Sequence, residues 1–210
     1  MCCLLAASFF FCANAGAQET SDFGSWSSIQ IIKPIGKVYA MARAEHRSYD
    51  NMGATECYFG MAGAGYKFTP WLKGDLSYEY WQIPVSSLPT THKGVACLTA
   101  TLKRDALSVS LREKYELAFN VGGASGKGTM RSRIRAQYDF EKSGLTPYFM
   151  YEYFNGFSGS LWQRSLHYFG TEIKLGGPHS LDLFYMYHLY PKATSVACCH
   201  LLGIGYVLVL

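Results

Sequence analysis

From Met130 to Phe140 the chain alternates with a period of two. Arg131, Arg133, Arg135, Gln137 and Asp139 fall on one face; Ser132, Ile134, Ala136, Tyr138 and Phe140 fall on the other. Such alternation is the signature of an extended strand with two chemically different faces. It recurs in Leu107 to Leu117, where Ser108, Ser110, Arg112, Lys114 and Glu116 oppose Leu107, Val109, Leu111, Tyr115 and Leu117. Glu113 interrupts that apolar face. In Leu72 to Gln82, Lys73, Asp75, Ser77 and Glu79 oppose Leu72, Leu76, Tyr78 and Tyr80. In Leu181 to Leu189, Asp182 and His188 oppose Leu181, Leu183, Tyr185 and Tyr187. About ten residues is the length a tilted strand needs to cross a bilayer.

Composition points the same way. The chain is 16% aromatic and carries 16 Tyr, 13 Phe and 21 Gly, a profile that favours strands over helices. Residues 1–17 carry no charge. Leu4, Leu5, Phe9, Phe10 and Phe11 form an apolar centre, and Ala13-Asn14-Ala15-Gly16-Ala17 ends it. This is the pattern of a cleaved export signal, too short to span a bilayer as a helix. A basic leader is missing from it, so a start upstream is the expectation. The expected organisation is a signal peptide over 1–17 and one β-domain over 18–210. The net charge of +4 is spread within alternating strands, not clustered, so the chain shows no basic patch for nucleic acid.

Eleven candidate strands follow: roughly 25–33, 37–48, 57–68, 72–82, 94–103, 106–118, 129–140, 146–155, 165–175, 180–190 and 199–210. Their connections alternate between tight and long. The tight ones include Pro34-Ile35-Gly36, Thr69-Pro70-Trp71 and Arg104-Asp105. This segregation marks an antiparallel up-and-down transmembrane β-barrel of the Gram-negative outer membrane, with short turns on the periplasmic side. Bacterial barrels favour even strand numbers. The segment Trp26 to Ile32 is therefore the doubtful strand, and ten wall strands, with twelve as the alternative, is the expectation. The terminal Gly205-Tyr206-Val207-Leu208-Val209-Leu210 resembles the signal read by the barrel-assembly machinery, ending in Leu where an aromatic is usual.

In a barrel bathed by membrane lipid the polar faces line the lumen. They bring in Arg43, Glu45, Arg47, Arg112, Lys114, Glu116, Arg131, Arg133, Arg135 and Glu152, with Lys73, Asp75, Glu79, Glu172, Lys174 and Asp182 on the same faces. A barrel this narrow is largely filled by such side chains, and charges taken from water demand partners. Arg131, Arg133 and Arg135 lie one strand from Glu116 and one strand from Glu152, so pairing among them is expected.

Several segments are similar to a family of outer-membrane barrels known as domain of unknown function 2490. They are Asp22-Phe23-Gly24-Ser25-Trp26-Ser27-Ser28, the stretch Ala44 to Asn51, Gly63-Ala64-Gly65-Tyr66, Leu111 to Glu116, Pro147 to Phe154, Arg164 to Gly170 and Gly203-Ile204-Gly205-Tyr206. The resemblance implies a barrel in the outer membrane and assigns no activity. The reading is a structural barrel or a narrow, porin-like passage for small solutes, with membrane lipid as its surroundings and neither cofactor nor metal. Two alternatives stand beside it: a lipid hydrolase of phospholipase type, and a soluble exported β-barrel that binds a ligand.

The hydrolase reading rests on Ser165, His167 and Asn155, placed by parity on the outer face near the extracellular rim. A serine becomes a nucleophile only within hydrogen-bond reach of a base held by a third group. The trio resembles the Ser, His and Asn of outer-membrane phospholipase A, with the order of Ser and His reversed. Cys57, Cys97, Cys198 and Cys199 are placed near the extracellular strand ends, as free thiols or in a loop disulfide. Gly122 to Gly128 fails as a phosphate loop, since Gly128 stands where Ser or Thr is required. Trp71 near one end and Tyr80 with Trp81 near the other are expected in interfacial aromatic girdles.

Overall fold

A computed structural model describes residues 22–84, 90–119, 127–156, 162–191 and 196–210. The export segment 1–17 and most of the Gly122–Gly128 loop lie outside these residues. All eleven alternating segments form strands: β1 (Asp22–Ile35), β2 (Val38–Tyr49), β3 (Ala54–Lys67), β4 (Leu72–Gln82), β5 (Thr90–Arg104), β6 (Leu107–Phe119), β7 (Lys127–Tyr138), β8 (Leu145–Gly156), β9 (Trp162–Gly176), β10 (His179–Pro191) and β11 (Val196–Val209). Each pairs antiparallel with its sequence neighbour, and β1 closes the barrel against β11.

That closure corrects the strand count. The segment around Trp26 to Ile32 is a full wall strand, so the described residues form eleven strands instead of ten or twelve. In an up-and-down chain with an odd number of strands, the first and last run the same way. The seam is accordingly parallel, from Asp22↔Cys199 to Ile32↔Val209. The Leu210 amide donates to the Ile32 carbonyl at 2.9 Å and extends it by one bond.

The outer wall is apolar at mid-height. Leu76 is 68% exposed, Leu102 74%, Leu111 51% and Ile134 46%. Aromatic residues band the outer surface near both ends. At the short-turn end stand Trp71, the Tyr66–Phe68 pair and the Tyr138–Phe140 pair. Nearer the long-loop end, histidines pack on tyrosines: His46 on Tyr58, His92 on Tyr80, His167 on Tyr151 and His200 on Tyr187. Trp71 and Tyr80 thus point outward. Trp81 does not. It shares parity with Asp75 and Glu79, so the pleat turns it into the lumen, where its Nε1 donates to Glu79 at 3.0 Å. Glu113 is the exception on the apolar wall, and the Ser132 hydroxyl donates to its carboxylate at 2.7 Å.

Inward glycines make room for large rings from the facing strand. Phe184 lies directly across from Gly203, and a Cβ there would sit 2.0 Å from the Phe184 ring. Tyr39 covers Gly65 in the same manner, at 2.2 Å. Such pairs fill the bore where two side chains of ordinary size would collide.

Candidate functional site: a two-sided bore with a cationic chamber

The lumen has two chemically distinct halves. Along β4 to β8 its wall is ionic. Lys114 bridges Glu79 at 2.6 Å and Glu116 at 2.8 Å; Arg131 bridges Glu116 at 2.6 Å and Glu152 at 2.8 Å. Arg112 adds a contact to Glu152 at 3.2 Å and Lys93 one to Glu116 at 2.8 Å. Opposite charges interleave along this belt: Glu116 holds three cations, Glu152 two and Glu79 one. Its three carboxylates and four cations leave one positive charge in excess. Across β8 to β11 and β1 the inward face carries a large apolar patch beside Glu152, Arg164, Glu172 and Asp182: Tyr148, Met150, Phe154, Leu166, Tyr168, Met186, Leu201 and Trp26 pack as one cluster.

The other sequence-derived residues take the following places. Arg43 and Arg47 both pair with Glu45, at 2.8 and 2.6 Å. Arg135 pairs with Glu172 at 2.6 Å and stacks over Tyr148, whose hydroxyl donates to Asp182 at 2.9 Å. Arg133 sits between Arg112 and Glu152 in the strand register. It makes no ion pair among the described residues, because Glu152 is already held by Arg112 and Arg131.

Ser165 and His167 face outward on β9, and the Ser165 hydroxyl is engaged with that of Tyr151. The register shifts after Phe154, which sets Asn155 opposite Trp162 while Ser165 lies opposite Tyr153. Asn155 lies two residues beyond Tyr153, the partner of Ser165, and its Oδ1 has no partner among the described residues. The three residues share an outer face without forming a hydrogen-bonded relay. No disulfide joins Cys57, Cys97, Cys198 and Cys199, the cysteines of the described residues. Cys97 lies mid-strand in β5, facing the bore, and not at a strand end as expected.

Near the long-loop end the two halves enclose a cavity of about 510 Å³. Arg47, Arg131 and Arg164 reach its wall together with the carboxylates of Asp22 and Glu56, among Trp26, Trp81, Phe154, Leu166, Met186, His188 and Leu201. Arg47 is clasped between indoles, 3.6 Å from the Trp26 centroid and 4.9 Å from that of Trp81. Arg131 and Arg164 both lie on the Phe154 ring, at 4.2 and 4.1 Å. Desolvated cation–ring contacts of this kind contribute up to about 2 kcal/mol. They hold the guanidiniums in place without neutralising them. Arg164 makes no ion pair among the described residues.

Arg164 and Lys93 were not among the expected site residues, and the reason is local. The strands were expected to begin at 165 and 94, whereas they start at Trp162 and Thr90. Continuing the parity of Glu172 and Lys174 by a few residues would have turned Arg164 inward.

Residues 23–196 match the family described as "Protein of unknown function (DUF2490)". Among solved structures, the chain is similar to one described as "NanC porin structure in rhombohedral crystal form". The TM-score is 0.48 at 11% identity, over 78% of this chain and 86% of that one. No curated protein matches the sequence. With an all-β closed barrel and a match over most of its length, the chain belongs to the DUF2490 family.

Proposed function

We propose that the protein is an outer-membrane barrel whose bore is a narrow passage for small anions. The observation that carries this reading is the inverted polarity of the wall, with Leu, Ile and Tyr outside and cations in excess within. An apolar exterior around a charged interior suits a chain solvated by lipid. A soluble ligand-binding barrel would need the opposite arrangement. The short turns at one end and the tilt-length strands support the same placement, with the C-terminal strand as the segment offered to the assembly machinery.

Within the bore, Arg131, Arg133 and Arg135 descend the β7 wall at intervals of about 7 Å. Arg164 stands above them on β9. An anion moving down this wall passes from one guanidinium to the next. Carboxylates hold Arg131 and Arg135, so neither binds an anion tightly enough to trap it. Favourable but weak, multiple sites are what conduction requires.

The test is electrical. Reconstituted in planar bilayers under a potassium chloride gradient, the barrel is expected to show small conductance steps with a reversal potential on the chloride side. Arg133→Gln, which removes an unpaired cation and strands no carboxylate, is expected to lower that selectivity. Electrical silence, or cation selectivity, would overturn the passage reading.

A further inference from the structure

The cavity of about 510 Å³ near the long-loop end is far larger than a chloride ion requires. It falls within the usual range for small-molecule sites, which are mostly apolar with a few placed polar groups. Its charged groups are of both signs: Asp22 and Glu56 line it at the rim, and three guanidiniums reach in beside them. Arg47 is committed to Glu45, and Arg131 to Glu116 and Glu152. Arg164 alone of the three guanidiniums has no carboxylate. Two further buried atoms on the lining, Trp26 Nε1 and His188 Nε2, have no hydrogen-bond partner among the described residues. An indole N–H can only donate, and a histidine Nε2 can donate in one tautomer. The apolar part of the lining is Leu166, Met186, Leu201 and the Phe154 ring.

We infer that this chamber is a binding site for a small monocarboxylate with an apolar body, its carboxylate on Arg164 and its body against Leu166, Met186 and Leu201. One unpaired guanidinium neutralises one negative charge. A phosphate dianion would bring a second charge with no counter-charge, which is costly away from water. A guanidinium receives a carboxylate through two parallel N–H bonds, and donors on Trp26 and His188 lie on the same lining to take further lone pairs. A sugar acid would bury hydroxyls against Leu and Met without partners, each a penalty of about 1–3 kcal/mol. The assignment deepens the anion-passage reading: the chamber is where such a solute would pause before the arginine column.

Phenylacetate is a suitable probe, and Trp26 and Trp81 on the lining are the reporters. With the full chain refolded in detergent or lipid nanodiscs, phenylacetate is expected to change tryptophan fluorescence saturably and to give a calorimetric isotherm. Benzyl alcohol, which keeps the ring and lacks the charge, is expected to bind at least tenfold more weakly. Arg164→Gln is expected to erase that preference, while Arg164→Lys retains part of it. Because the comparison of probes uses the unaltered protein, a variant that fails to fold does not decide the matter. Equal binding of both probes, no saturable binding, or an Arg164→Gln protein with undiminished preference would overturn the inference. Saturable phenylacetate binding in a barrel that is electrically silent would uphold the chamber and refute the passage. Anion-selective conductance without phenylacetate binding would do the reverse.

Discussion

Glu116→Gln is expected to destabilise the barrel by about 3–5 kcal/mol, the range for breaking a buried ion pair by removing one partner. Three cations converge on this carboxylate: Arg131 at 2.6 Å, Lys114 at 2.8 Å and Lys93 at 2.8 Å. Lys114 retains Glu79 and Arg131 retains Glu152, but Lys93 keeps no ion pair among the described residues once Glu116 is gone. The amide leaves these charges buried near one another with their shared anion removed. Urea titration in liposomes, followed by tryptophan fluorescence, measures the loss. The double variant Glu116→Gln/Lys93→Met removes the stranded cation as well and is expected to recover part of the stability. Glu172→Gln is the contrasting case. Its side chain is 41% exposed in its pair with Arg135, so its removal is expected to cost about 1 kcal/mol or less.

The second large effect lies on the other face of the same sheet. Ile134→Arg places on the outer wall the residue type that stands at 133 and 135 within. On a lipid-facing surface at mid-height this costs about 2–4 kcal/mol, falling to about 0–1 kcal/mol near the interfaces. Phe140→Arg, in the short-turn aromatic band, is the matched control and is expected to be nearly neutral. The same urea titration compares them. Glu113 shows how the wall tolerates an acidic residue: carboxylates cost less than arginine in this setting, and Ser132 donates a hydrogen bond to it at 2.7 Å.

The strands with one polar and one apolar face, β4, β6 and β7, were legible because the pleat writes its period directly into residue chemistry. The apolar half of the lumen was not. In β8 the inward residues are Tyr148, Met150, Glu152 and Phe154, while the outward ones include Phe149, Tyr151 and Tyr153. With aromatic residues on both faces, Glu152 is the one charge in this strand that marks which side meets the bore. Trp26 was obscured in another way. Whether β1 joins the wall depends on how the barrel closes, a pairing between residues nearly the whole chain apart, and no local pattern encodes it. Arg164 lies where the strand runs on toward the long-loop rim, beyond the stretch where apolar alternation marks a strand. The members of the ionic belt other than Lys93, by contrast, needed only parity. Their particular partners needed the register, which sets Arg133 beside Arg112 and leaves it the unpaired member of its column.

The orientation of the wall is the claim beneath all of this, and spin labels can read it. In a background with the native cysteines replaced, single labels would be placed at Ser110 and Leu111 on β6 and at Arg133 and Ile134 on β7, and the protein reconstituted in lipid bilayers. Collisions with dissolved oxygen, which concentrates in the acyl region, are expected to dominate at 111 and 134, and to fall at 110 and 133 relative to a water-soluble nickel chelate. The reverse pattern, with the chelate favoured at 111 and 134, would put the Leu and Ile rows in water and contradict the account.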